Sequence, residues 1–196
     1  MWALPPWPSS SVGRTWTGIY AEDPKLRTHD IITLLSMSIY LSDLKATQAL
    51  GKKMSKWLPA GTILLLEGPL GTGKTSLVQG IAAGLGIYEP ITSPTFALAQ
   101  HYPDGSPPLI HLDLYRLENP KTANDIFLQE DEEAKAIGAF LAVEWAVRLS
   151  LDLPEAWKVE LSHKDGVGRY AQIIAPGGSQ NELNWVASDL IHILGS

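Results

Sequence analysis

Residues 62–75 read TILLLEGPLGTGKT, and this stretch decides the fold. Thr62–Glu67 is a near-continuous apolar run, the pattern of a strand buried on both faces of a parallel sheet. Gly68-Pro69-Leu70-Gly71-Thr72-Gly73-Lys74-Thr75 then matches G-x-x-x-x-G-K-[ST]. Lys74–Leu85 follows with Leu77, Val78, Ile81, Ala82 and Leu85 at helical spacing, and Gly86 stands where a C-cap glycine belongs. Strand, glycine-rich loop and helix in this order are the context of a phosphate-binding loop. Its glycines let backbone N–H groups point inward at an anion. The helix N-terminus adds partial positive charge. Lys74 is placed for the β- and γ-phosphates of a nucleotide, and the Thr75 hydroxyl for the Mg²⁺ that bridges them.

Working outward, Ser38–Leu41 reads as a short strand. Ser42 is expected to cap a helix running to about Leu58, with Leu44, Ala49, Leu50, Met54 and Trp57 on its apolar side. Pro59-Ala60-Gly61 breaks it. Downstream, Ala97–Tyr102, Leu109–Asp113 and Phe140–Glu144 are strand-like, and the polar, acidic segment Glu118–Lys135 is expected to be helix plus loop. Trp157–Ser162 and Arg169–Ala175 form a hairpin around Lys164-Asp165-Gly166. Ser179-Gln180-Asn181-Glu182 opens a last helix with a capping-box pattern. The expected architecture is an α/β P-loop NTPase sandwich. Its mixed, mostly parallel sheet is flanked by helices and followed by a C-terminal hairpin and helix.

The 196 residues suffice for one domain. A net charge of −6 lacks the basic footprint of a protein that grips nucleic acid directly. Without cysteine there is no disulfide framework, thiolate metal site or thiol nucleophile. No run reaches about 18 apolar residues, and the N-terminus lacks a secretory pattern, so a cytoplasmic protein away from the membrane is expected. Residues 1–36 hold three of the seven tryptophans and four of the fourteen prolines, without periodicity. They are expected to be a disordered tail or the product of a start placed before Met37. A docking peptide presenting tryptophans is the alternative.

Acidic residues at the carboxyl ends of buried strands are the next candidates, because ligands of open α/β sheets bind there. Asp113 ends LIHLD and suits a magnesium contact. Glu144 ends FLAVE and suits magnesium or the attacking water, with a salt bridge to Arg148 as the alternative. Glu67 reads as structural, and His111 as a packed or edge-exposed histidine rather than a metal ligand. Thr95, in Ser93-Pro94-Thr95-Phe96, stands in a loop suited to sensing a γ-phosphate, although Ser and Thr beside Pro are also ordinary turn chemistry. Arg169, at the start of a strand, reads by itself as a solvated edge charge.

The phosphate loop, SPTF, HLDLYRL and VEW, in this order and at close spacing, resemble the TsaE (YjeE) family. This is the small bacterial ATPase of tRNA threonylcarbamoyladenosine biosynthesis. The similarity covers about Ser38 to Leu194. It implies that Leu70, Gly71, Thr72, Gly73, Lys74, Thr75 and Ser76 hold the phosphates of ATP or ADP, and that Thr75 binds Mg²⁺. Asp113 would be the Walker B acid, Glu144 would reach the magnesium, and Thr95 would belong to the switch loop. Trp145 would line the nucleotide pocket, Ser42 and Asp43 would approach the adenine, and Arg169 would lie near the nucleotide. The implied partners are the threonylcarbamoyl-transferase TsaD and its paralogue TsaB. Given the acidic charge, tRNA would be met only indirectly. Pro69 replaces the family's usual acidic residue, Thr72 its usual alanine, and Asn124–Gly138 departs from its usual motif. The tail has no counterpart, and Met37 falls where members typically begin.

Other readings make different demands. A small-molecule kinase needs an arginine-bearing lid, whereas the chain has only Arg116, Arg148 and Arg169 after the loop. A GTPase would carry N-K-x-D, which is missing. A nucleotide-bound adaptor without hydrolysis is separated from an ATPase by turnover measurements.

Overall fold

A computed structural model describes residues 36–164 and 166–178. Within them lie β1 (Ser36–Leu41), α1 (Leu44–Trp57), β2 (Ile63–Glu67), α2 (Lys74–Gly84), β3 (Ala99–Tyr102), β4 (Leu109–Asp113), α3 (Pro120–Ile137), β5 (Phe140–Glu144), β6 (Trp157–His163) and β7 (Arg169–Ile174). The strands form one sheet in the order β1-β7-β6-β2-β5-β4-β3. Strands β6, β2, β5 and β4 are parallel neighbours. At one edge β3 runs antiparallel to β4, and at the other β7 runs antiparallel to both β6 and β1. Five strands therefore point one way, as a mixed, mostly parallel P-loop sandwich requires.

Side chains alternate across a sheet, and β2 shows the consequence. Leu64 and Leu66 pack with Leu50 and Met54 of α1 and with Leu77, Val78 and Ile81 of α2. Ile63 and Leu65 face the opposite layer, built on Ala123 and Phe127 of α3. Leu64, Leu66, Leu77, Phe127 and Phe140 are fully buried, and each such side chain stabilises by roughly 1.5–3 kcal/mol relative to exposure. Helices α1 and α2 meet through glycines. A Cβ on Gly51 would run into the carbonyl oxygen of Leu77, and one on Gly80 into that of Gln48.

Several boundaries differ from the sequence reading. Asp43, not Ser42, caps α1: its Oδ1 accepts the Ala46 N–H at 2.8 Å. Strand β1 begins at Ser36 because β7 offers a partner that far, pairing Ser36 with Ile174, while Gln172 Nε2 donates to Ser36 Oγ at 2.7 Å. Strand β3 begins only at Ala99, since Leu98 takes the left-handed φ of 68°. Helix α2 ends at Gly84, with Gly86 at φ 81° just beyond. The acidic segment is not helix plus loop but one helix, opened by the Asn119 cap and Pro120 and stopped by Gly138 at φ 65°. Each of its buried acids has a basic partner, although Asp131 Oδ1 is left without a hydrogen bond among the described residues. Glu130 accepts from His101 Nε2 at 2.7 Å, and Asp131 from Lys135 Nζ at 2.7 Å. The hairpin runs Trp157–His163 and Arg169–Ile174, and Trp157 is core. The tail up to residue 35, Asp165 and the expected last helix lie outside the described residues.

Candidate functional site

The loop between β2 and α2 turns on three glycines, Gly68, Gly71 and Gly73, with φ of 132°, 80° and 97°. These values favour glycine because a Cβ is strained there. Thr72 is buried and closes the loop by donating from Oγ1 to the Pro69 carbonyl at 2.8 Å. Lys74 folds back over it, its Nζ donating to the carbonyls of Gly68 at 2.8 Å and Pro69 at 3.0 Å. The same ammonium sits 4.1 Å from the centroid of the Trp145 ring. Burial pushes the Lys74 pKa below its ordinary value, against the upward pull of Glu144 and Asp113.

The β6–β7 hairpin braces this loop. Arg169 Nη1 donates to the Thr72 carbonyl at 2.9 Å, and His163 Nε2 approaches the Leu70 carbonyl at 3.3 Å. Arg169 is therefore no solvated edge charge; its guanidinium lies against Gly73. On the far side Glu67 forms an ion pair with Lys158 at 2.9 Å, a structural role.

Asp113 and Glu144 are register partners at the ends of β4 and β5, and both are buried. Asp113 Oδ2 accepts hydrogen bonds from Ser93 Oγ at 2.5 Å and Thr95 Oγ1 at 2.7 Å, and its Oδ1 accepts the Tyr115 N–H at 2.9 Å. Glu144 Oε1 lies 2.9 Å from His111 Nε2, so Glu144 pairs with His111 and not with Arg148, whose Nη2 donates to the Tyr115 carbonyl. His111 is packed, with no exposed edge. Trp145 follows at the left-handed φ of 60°, which turns its indole under Lys74 and against the Tyr115 ring, centroids 4.8 Å apart.

One cavity of about 420 Å³ gathers these groups. Leu70, Gly71, Gly73, Lys74, Thr75, Ser76, Thr95, Asp113, Glu144 and Trp145 all line it, together with Ser93 and Tyr115. Thr72 lies beneath the loop instead. Ser42, Asp43 and Arg169 do not line the cavity. Arg169 stands on the flank with Thr47 of α1, which comes 3.6 Å from where a Gly73 Cβ would lie and whose Oγ1 donates to the Asp43 carbonyl at 3.0 Å. Tyr115 and Ser93 lie within HLDLYRL and SPTF, where residue type alone gives them no part in the site. Alternation along β4 could have placed His111 on the face of Asp113.

The fit to a nucleotide and a divalent cation can be judged on this geometry. The loop narrows at glycines, its lysine is buried without a carboxylate hydrogen bond, and two buried carboxylates and the Thr75 hydroxyl converge from facing elements. Hard oxygen donors of this kind suit Mg²⁺.

The family described as "Threonylcarbamoyl adenosine biosynthesis protein TsaE" matches residues 41–171. The chain belongs to the TsaE family. It is 41% identical to the Nostoc sp. tRNA threonylcarbamoyladenosine biosynthesis protein TsaE, over 84% of this chain and 98% of that protein. The Synechocystis sp. TsaE is 46% identical, over 58% of this chain and 73% of that protein. The crystal structure of Bacillus subtilis YdiB superposes with a TM-score of 0.61 at 28% identity, covering 80% of this chain and 95% of that one. TsaE proteins are thus involved in tRNA threonylcarbamoyladenosine biosynthesis, and the α/β P-loop fold is shared. Among the described residues no helix is long and apolar enough to cross a membrane.

Proposed function

We propose that this TsaE chain is a Mg²⁺-dependent ATPase of tRNA threonylcarbamoyladenosine modification. The observation that carries this reading is the convergence of Lys74, Thr75, Asp113 and Glu144 on one cavity at the mouth of a glycine loop. Lys74 would leave the loop carbonyls for the β- and γ-phosphates, and the N–H groups from Leu70 to Ser76 would cradle them. Thr75, Asp113 and Glu144 would hold the cation. When bound, Mg²⁺ would offset phosphate charge and orient the γ-phosphoryl group. Glu144 would also orient the attacking water, and Thr95 would respond to the state of the γ-phosphate. Trp145 would wall the pocket. Arg169 would hold the loop in shape, and Ser42 and Asp43 would meet the adenine.

Hydrolysis would drive or reset the threonylcarbamoyl-transferase TsaD with its paralogue TsaB, with tRNA met only through that complex, in the cytoplasm. The family membership supports the pathway, and the lack of an arginine lid supports a switch over a kinase. Calorimetric titration with Mg²⁺-ADP and measurement of phosphate release from ATP test the reading. Absence of both binding and turnover would overturn it.

A further inference from the structure

His111 is fully buried, and it does not line the nucleotide cavity. Register sets Asp113 opposite Glu144 and His111 opposite Ala142. Leu109, His111 and Asp113 share one face of β4, as Phe140, Ala142 and Glu144 share that face of β5. The imidazole is therefore a diagonal neighbour of Glu144, within reach of a long side chain. Its Nε2 lies 2.9 Å from Glu144 Oε1. Its Nδ1 is buried with no hydrogen-bond partner among the described residues. Nε2 has an acceptor and Nδ1 has none, which assigns the donated hydrogen to Nε2. A buried ring that leaves one nitrogen unsatisfied costs stability. Leu109, two residues earlier on the same face, is the apolar solution at this depth.

The geometry points to His111 as a positioning residue that holds Oε1 of Glu144 from behind and leaves Oε2 to serve the cavity in one orientation. The terminal torsion of a glutamate is broad, so an unheld carboxylate would sample many directions. A ring clamped by the sheet donates from a fixed place. Partners that orient a working carboxylate commonly matter by about 10- to 100-fold in activity or metal affinity. This inference rests on the ATPase reading above and adds to it a residue that touches neither nucleotide nor cation.

Four substitutions test it: His111→Leu, His111→Gln, His111→Asn and Glu144→Gln, with the double variant His111→Leu/Glu144→Gln. Glutamine can bring an amide N–H close to the Nε2 position, whereas asparagine is too short. His111→Leu and His111→Asn should lower kcat about 10- to 100-fold with KM for ATP nearly unchanged, and should reduce the gain in ADP affinity that Mg²⁺ gives in calorimetry. His111→Gln should recover most of both. In the Glu144→Gln background, His111→Leu should have no further effect. If His111→Leu does not fold, the contrast between Gln and Asn decides alone. Equal losses in Gln and Asn, or a full additional loss on top of Glu144→Gln, would overturn the inference while leaving the ATPase reading intact. If the parent hydrolyses no ATP, the ATPase reading falls. The Mg²⁺-dependent ADP affinity then still decides, an unchanged gain in His111→Leu or His111→Asn counting against the inference.

Discussion

Asp113 accepts the hydroxyls of both Ser93 and Thr95 on the same carboxylate oxygen, so the acid at the end of β4 is also the anchor of the loop that faces it. Removing its charge should therefore act twice. Asp113→Asn should keep the fold but lower ATP turnover by about two to three orders of magnitude, the usual cost of removing one charge-stabilising group. It should also speed amide hydrogen exchange in residues 93–96, because an amide replaces one acceptor oxygen. Turnover like the parent's would place the chemistry elsewhere.

Lys74 is the group most directly tied to phosphate binding. Lys74→Ala removes a charge-assisted donor worth about 1.5–3 kcal/mol, or roughly a 10- to 100-fold weaker affinity. Titration calorimetry with Mg²⁺-ADP reads this, and unchanged affinity would mean that the loop does not hold phosphates.

The same lysine gives a pH dependence in the protein without nucleotide. Burial holds its pKa below the ordinary 10.5. Between the lowered value and 10.5, the unfolded chain keeps a proton that the native chain has released. Stability owed to this residue then rises with pH across that window. The melting temperature of the parent should move upward relative to Lys74→Met as pH climbs from neutral toward 10.5. A difference that stays flat, or moves the other way, would contradict the burial of a charged Lys74.

Helix packing supplies a prediction independent of chemistry. Gly80→Ala would drive a methyl group into the backbone carbonyl of Gln48, and Gly51→Ala one into that of Leu77. Backbone cannot rotate away as a side chain can, so α1 and α2 must part. Overpacking of this kind costs about 1–3 kcal/mol, which denaturant titration measures. A neutral result for either would mean that the two helices slide freely.

Some of this arrangement was legible in the residues. Leu109–Asp113 and Phe140–Glu144 stand out because strands buried on both faces are mostly apolar, with His111 the exception, until an acid ends each at the site. Helix α3 was harder. Glu130 and Asp131 face inward, and a pattern of apolar spacing cannot anticipate that His101 and Lys135 will meet them. The Asp43 cap was missed by one residue, since Ser42 and Asp43 are equally good cap chemistry and only the helix start separates them. The His111–Glu144 contact required the order of the strands. Nothing local says that β4 and β5, separated by all of α3, become neighbours. The glycine seam between α1 and α2 is similar, because a glycine in a helix signals weakness until its partner's backbone is in place.

The loop at Ser93–Phe96 bears on how turnover would be controlled. Ser93 borders the nucleotide cavity and also a second cavity of about 360 Å³ lined by Glu89, Pro94, Phe96 and Tyr102. Phe96 is 87% exposed at its tip, with the Arg116 guanidinium 4.9 Å from its ring centroid. The loop is thus held to Asp113 by two hydroxyls and has room on either side. Few arginines approach the site, and Arg169 is spent on the Thr72 carbonyl. A switch with these features gains rate when a partner orders its loop or adds a stabilising group. Phosphate release should therefore be slow for the protein alone and rise when the transferase and its paralogue are added together. Thr95→Ala should reduce the stimulated rate more than the resting rate, because the hydroxyl links the loop to the acid that the partner must align. Rates measured alone, with each partner and with both decide the matter. Fast turnover in isolation that ignores the partners would end the switch reading and favour direct transfer to a small acceptor, which a phosphorylation screen would then reveal.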